Sequence, residues 1–187
     1  MNESQQLIAE GINRLLAAEI GRPLLEAFDE GTWPEGLWKL VQQSGFHRAL
    51  EDDGKAVSDW TDVQPILRAI GFYRAPLPLA ETLLANWLAA KAGIAGTDGP
   101  ATVVETADLQ FQLVAGKLTF SGIARLVPWA RVATRFVVSG VADGRRVIGI
   151  VEAGNPGLRH IEPGKNVAGE PRDTVEFEQC QCSQLFR

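Results

Sequence analysis

At Ala95 the sequence changes its period, and no other feature constrains the fold as strongly. Before that point apolar residues recur every three or four positions; after it they alternate. Leu7, Ile8, Ile12, Leu15 and Leu16 predict a first helix, closed by the breaker pair Gly21 and Pro23. A second is expected from Thr32, where Thr-Trp-Pro-Glu sets a capping hydroxyl three residues before Glu35 and a proline in the first turn. Its buried stripe would be Trp33, Leu37, Leu40 and Val41, ending near Gly45. Beyond a polar loop from Glu51 to Ser58, Val63, Ile66, Leu67 and Ile70 space a third helix that stops at Gly71. Pro76 and Pro78 hold their predecessors extended. A fourth helix then carries Leu83, Leu84, Trp87 and Leu88 and closes at Gly93.

After the loop GIAGTDGPA the segments ATVVE, LQFQLV, KLTFSG, RFVVSGV, RRVIGIVE and DTVEFEQ read as strands. Tight turns fall at Ala115-Gly116 and at Ala142-Asp143-Gly144. Helices first and strands second define an α+β chain: an N-terminal helical domain over 1–95, then an antiparallel sheet or barrel domain over 96–187.

Charge and composition exclude several functions. Hydrophobic residues make up 45% and charged residues 22%, enough apolar surface for a core. The net charge of -5 gives no positive field to attract nucleic acid or anionic lipid, so neither is an expected partner. The opening MNESQQLIAEGINRLL lacks the apolar run of a signal peptide, and no stretch is long and apolar enough to span a bilayer, so a cytoplasmic protein is expected. Cys180 and Cys182, two apart on one strand, read as free thiols. With only His47 and His160 besides, no metal site is expected.

Four blocks in order resemble the acyl-CoA dehydrogenase family. They are EGLWKLVQQSGFHRAL, DVQPILRAIGFYRAPLPLAETLLANWLAAKAGI, LTFSGIARLVPWARVATRFVVSGV and IGIVEAGNPGLRHIEPGKNVAGEPRDTVEFEQC; the resemblance as a whole covers nearly the entire chain, about Glu26 to Gln179. The second is the strongest match, a helix ending in glycine, an extended Pro-x-Pro and a further helix. The resemblance covers the family's helical and middle β domains, without its C-terminal helical bundle. It implies α,β-dehydrogenation of an acyl-CoA thioester to the enoyl-CoA, with FAD as hydride acceptor.

The same alignment, anchored on Gly122, carries the cofactor-facing segment onto Leu126, Val127, Pro128 and Trp129. Leu126 replaces a tryptophan that packs on the flavin, and Pro128 replaces a hydroxyl residue that bonds near it. The family's Thr-Glu-Pro…Gly-Ser-Asp flavin segment has no counterpart, and the base-bearing bundle is missing, so no catalytic residue is assigned. This pattern resembles the degenerate subunits of heteromeric acyl-CoA dehydrogenases that act on steroid side-chain thioesters. It implies acyl-CoA as substrate and either a second, flavin-bearing subunit or self-association. The alternative is a non-catalytic scaffold or acyl-CoA-binding subunit that uses the junction between helices and strands as a cleft.

Individual residues have plainer readings beside these. Trp129 is equally an anchor of core or interface. Arg125 and Arg131 either meet a pyrophosphate or face solvent on alternate strand positions. Glu81 suits a helix N-terminus through the dipole alone. His47 and His160 read as structural or surface residues, and GIAGTDG as a linker.

Overall fold

The computed structural model describes residues 3–52, 55–56, 60–114, 117–182 and 184–186. The chain is α+β, as the change of period predicts. Its helices are α1 (Glu3–Glu19), α2 (Arg22–Asp29), α3 (Glu35–Ser44), α4 (Gln64–Tyr73) and α5 (Leu79–Lys91), with 3-10 turns at Phe46–Arg48 and Trp60–Val63. A two-stranded ladder, β1 (Glu51–Asp52) with β2 (Lys55–Ala56), interrupts them within the expected polar loop.

The structure adds one helix, α2, to the four the sequence predicts and moves two helix boundaries, each for a backbone reason. Pro23 opens α2, because a missing N–H is harmless in a first turn. Pro34, not Thr32, caps α3, and no side chain caps it, so the expected hydroxyl cap does not form. Helix α4 runs through Gly71 and ends where Arg74 turns left-handed at φ 52°. Leu7, Leu67 and Leu84 fall on exposed faces.

Strands β3 (Ala101–Glu105), β4 (Gln110–Val114), β5 (Lys117–Pro128), β6 (Arg135–Ala142), β7 (Arg145–Glu152), β8 (Leu158–Glu162), β9 (Arg172–Gln181) and β10 (Gln184–Phe186) build two four-stranded sheets. Their orders are β10-β7-β6-β3 and β4-β5-β9-β8. All pairs are antiparallel except β3 with β6. Between those two strands the chain crosses to the other sheet through β4 and β5 and returns, the kind of crossover a parallel pair needs. The Asp143-Gly144 turn forms as expected, with both residues left-handed. The Ala115-Gly116 turn lies outside the described residues. Gly122 is obligatory: at φ 140°, a Cβ there would lie 2.3 Å from the Asp108 carbonyl oxygen.

The inward faces of the two sheets bury Phe120, Phe136, Val138, Val175, Phe177 and Cys180. The helices bury Ile12, Leu16, Trp38, Val41, Ile66, Leu79 and Leu83. Helix α5 belongs to both halves. Leu79 and Leu83 enter the helical core, while Ala85 and Ala89, one turn apart, press against Ala101, Val137 and Ile150 of the sheet.

Its polar residues tie down the segment that leads into β3. Thr82 Oγ1 accepts the Ala101 N–H (2.9 Å) and donates to the Ala101 carbonyl (3.3 Å). Asn86 accepts the Thr97 N–H (2.9 Å) and donates to the carbonyls of Thr97 (3.0 Å) and His47 (3.2 Å). Replacing Asn86 by alanine orphans these buried groups and is expected to cost about 1–3 kcal/mol, measured by denaturant unfolding; an unchanged midpoint would refute the tie.

Candidate functional site

The segment Leu126 to Trp129 closes β5 where the sandwich meets the helices. Two of its four residues are left-handed without being glycine, Leu126 at φ 58° and Trp129 at φ 54°. The β5–β9 register slips at this bend, between Ala124 and Val127. Bulky side chains rarely hold this conformation, and such strain persists only where the surroundings impose it.

Trp129 is the imposing element. Its ring is 2% exposed and lies 5.7 Å from Phe28 of α2 and 6.3 Å from Trp33, centroid to centroid. Its N–H donates to the Pro171 carbonyl (3.2 Å). Beside it the Asp173 carboxylate, fully buried, receives the Arg131 backbone N–H (2.9 Å), the Arg131 Nε–H (3.0 Å) and the Gly164 N–H (3.1 Å). Arg131 also donates to the Gly164 carbonyl (2.6 Å). One ion pair, its carboxylate buried and its arginine reaching the surface, thus fixes the bend on one side and the β8–β9 loop on the other.

The four segment residues point different ways. Leu126 is 70% exposed, Val127 enters the sandwich core, Pro128 is half-buried and Trp129 is enclosed by the helices. To a flavin this bend offers one apolar side chain, and Pro128 has neither a hydroxyl nor an N–H to donate. The segment alone does not fit as a flavin cradle. Of its two neighbouring arginines, Arg125 is exposed while Arg131 is committed to Asp173, a role that periodicity could not reveal.

A second polar cluster holds the linker. His47, 3% exposed, places Nε2 3.2 Å from Asp98 Oδ1, and Arg48 reaches the same oxygen at 3.4 Å while pairing with Glu51 at 2.8 Å. Gln42 donates to the Asp98 carbonyl (2.6 Å). GIAGTDG is therefore a fastened linker, and His47 is one of its fasteners; His160 lies exposed on β8. The hydrogen bond from His47, with Arg48 adding charge, holds the Asp98 carboxyl below its ordinary range. Burial pushes the Glu81 carboxyl at the start of α5 upward. Burial also pushes Cys180 and Cys182 up to about 12, leaving both as inert thiols in the sandwich. Among the described residues no three potential ligands converge on a metal position, and no helix is long and apolar enough to cross a membrane.

Neither a protein-family model nor a curated protein matches the sequence. The fold, however, is that of acyl-CoA dehydrogenases over part of their length. The steroid acyl-CoA dehydrogenase Tcur3481-Tcur3483 (G363A variant) superposes with a TM-score of 0.86 at 18% identity, over 98% of this chain and 57% of that one. The ChsE4-ChsE5 complex from Mycobacterium tuberculosis gives 0.79 at 16% identity, over 97% and 55%. An acyl-CoA dehydrogenase from Bacillus anthracis complexed with FAD gives 0.67 at 16%, over 97% and 36%. The chain thus spans little more than half the length of the two heteromeric relatives.

Two measurements check this geometry. Asp173→Ala orphans the backbone N–H groups of Arg131 and Gly164 and is expected to cost about 1–3 kcal/mol, read by chemical denaturation. Because the Asp98 carboxyl is depressed in the folded state, its stabilisation is present above the ordinary aspartate range of about pH 4 and is lost as pH falls through the depressed value. Asp98→Asn should therefore flatten stability against pH on that acid limb; an unaltered profile would show the clasp to be idle.

Proposed function

We propose that this chain is an acyl-CoA dehydrogenase family polypeptide that acts with a flavin-bearing partner in the α,β-dehydrogenation of an acyl-CoA thioester. The observation that carries the reading is the strained bend at Leu126 to Trp129, held at the junction of helices and strands where the sequence resemblance sets the flavin-facing segment. Strain of this kind clusters at ligand-contact segments. The division between helices and strands at Ala95 gives the family's two domains. Two neighbours in fold are heteromeric, and one of them is a steroid acyl-CoA dehydrogenase, so a steroid side-chain thioester in the cytoplasm is the substrate class favoured.

The bend also divides the labour. Leu126 supplies an apolar contact and Pro128 supplies no hydrogen bond, so FAD and the base that removes the acyl α-proton are assigned to the partner. This chain then contributes the wall of the site: it excludes water and positions the acyl group. Val127, Trp129 and the Arg131–Asp173 pair keep that wall rigid.

Mixing the chain with a flavin-bearing acyl-CoA dehydrogenase subunit encoded beside it should give a yellow complex that reduces a dye when acyl-CoA is added. Leu126→Asp, at an exposed position, should leave the fold intact and slow that reduction by about tenfold, a barrier change of about 1.4 kcal/mol. Failure to form a complex with any encoded neighbour sinks the proposal. The enclosure of Trp129 favours a second reading, a non-catalytic scaffold. Titration calorimetry separates them: a scaffold leaves acyl-CoA bound by the complex no more tightly than by the flavin-bearing partner by itself.

A further inference from the structure

The outer face of the β4-β5-β9 sheet carries a grid that nothing in the proposed chemistry uses. Four of the chain's ten glutamines meet there. The register sets them in two cross-strand rows. Gln112 opposes Thr119, which opposes Gln181. Gln110 opposes Ser121, whose hydroxyl accepts the Gln179 N–H (2.8 Å). Each row therefore reads glutamine, hydroxyl, glutamine across the sheet, and both line one open concavity of about 800 Å³.

The outer face of a half-buried sheet normally carries charges that keep it in water. The two rows themselves have none, in a chain of which 22% is charged; Lys117 stands at one margin, and the exposed Glu178 beside Gln179 is neutralised by Arg159 at the other. Nor are the carboxamides satisfied internally: among the described residues none of the four makes a side-chain hydrogen bond. Each carboxamide and hydroxyl is both donor and acceptor, so each can pair with its own kind.

We infer that this face is the contact between two copies of the chain, docked sheet to sheet about a two-fold axis that crosses β5 between Thr119 and Ser121. An isologous contact requires a patch complementary to itself. That axis sets Gln112 of one copy over Gln110 of the other, Gln181 over Gln179, and Thr119 over Ser121. It also carries Lys117 to Ile123 of the second copy, whose cross-strand neighbour Glu176 is exposed. Two chains of net charge -5 repel at most approaches; here no carboxylate meets another, and each lysine gains an acid. A sugar ligand is disfavoured because the concavity offers no aromatic platform: its one ring, Phe120, is 2% exposed.

Sedimentation velocity of the full chain across a concentration series tests this. The wild type should show a reversible monomer-dimer equilibrium. Gln110→Glu combined with Gln112→Glu sets like charges face to face and should weaken dimerisation by at least about tenfold, with circular dichroism unchanged. Gln110→Lys combined with Gln112→Glu sets opposite charges across the same axis and should restore it. A monomeric wild type overturns the inference, as does a double-glutamate variant that dimerises normally or a charge pair that fails to rescue. None of these outcomes depends on flavin or acyl-CoA.

Discussion

Helix α5 is buried on nearly every side, and the rest of the structure depends on how its few polar atoms are satisfied. A helix between two cores can present small residues to one and large residues to the other, and Ala85 and Ala89 against Leu79 and Leu83 do so. What it cannot easily do is accommodate a backbone entering the sheet beside it, because that backbone brings N–H and C=O groups into a dry space. Thr82 and Asn86 meet the need by standing in for a neighbouring strand: each accepts a linker N–H and donates to a linker carbonyl. The helices and the sandwich are therefore joined by hydrogen bonds of the same type that hold each half together.

Trp129 provides the second join, and it works through shape. Its ring fills the space between Phe28 and Trp33, and the backbone adopts a left-handed turn to place it there. Leu126, at the other end of the same turn, is displaced outward. Burial at one end of the bend and exposure at the other are one event, and the Arg131–Asp173 pair makes it rigid.

Much of this was legible in the residues. The switch from helical to alternating period, the Asp143-Gly144 turn and, apart from the exposed Leu7, Leu67 and Leu84, the apolar stripes of α1, α4 and α5 follow from local pattern. Boundaries set by proline and glycine were harder, because Pro23 serves as well to begin a helix as to end one, and Gly71 can remain inside one that tertiary packing supports. Two polar residues four apart on an apolar helix, Thr82 and Asn86, were a signal in the sequence. Their partners were not, since Thr97 and Ala101 contribute only backbone. His47 with Asp98, and Arg131 with Asp173, join residues far apart in the chain, and no periodicity encodes such pairs. Of the candidate segment, its position at the junction was readable, but the divergent directions of Leu126, Val127, Pro128 and Trp129 came from a bulge that the strand pattern hides.

The parallel pairing of β3 with β6 has a consequence for the order in which the molecule forms. Half of the neighbouring pairs in the two sheets, β4 with β5, β6 with β7 and β8 with β9, join consecutive strands and can zip locally. Strand β3 has no partner until β4 and β5 have been laid down in the other sheet and β6 has returned, so its closure carries a long-loop entropy that the hairpins escape. Because α5 rests on β3, the helices gain their seat on the sandwich only after that closure. The seam between the two halves therefore forms after the local hairpins, and its amide hydrogens are expected to gain protection later than theirs during refolding.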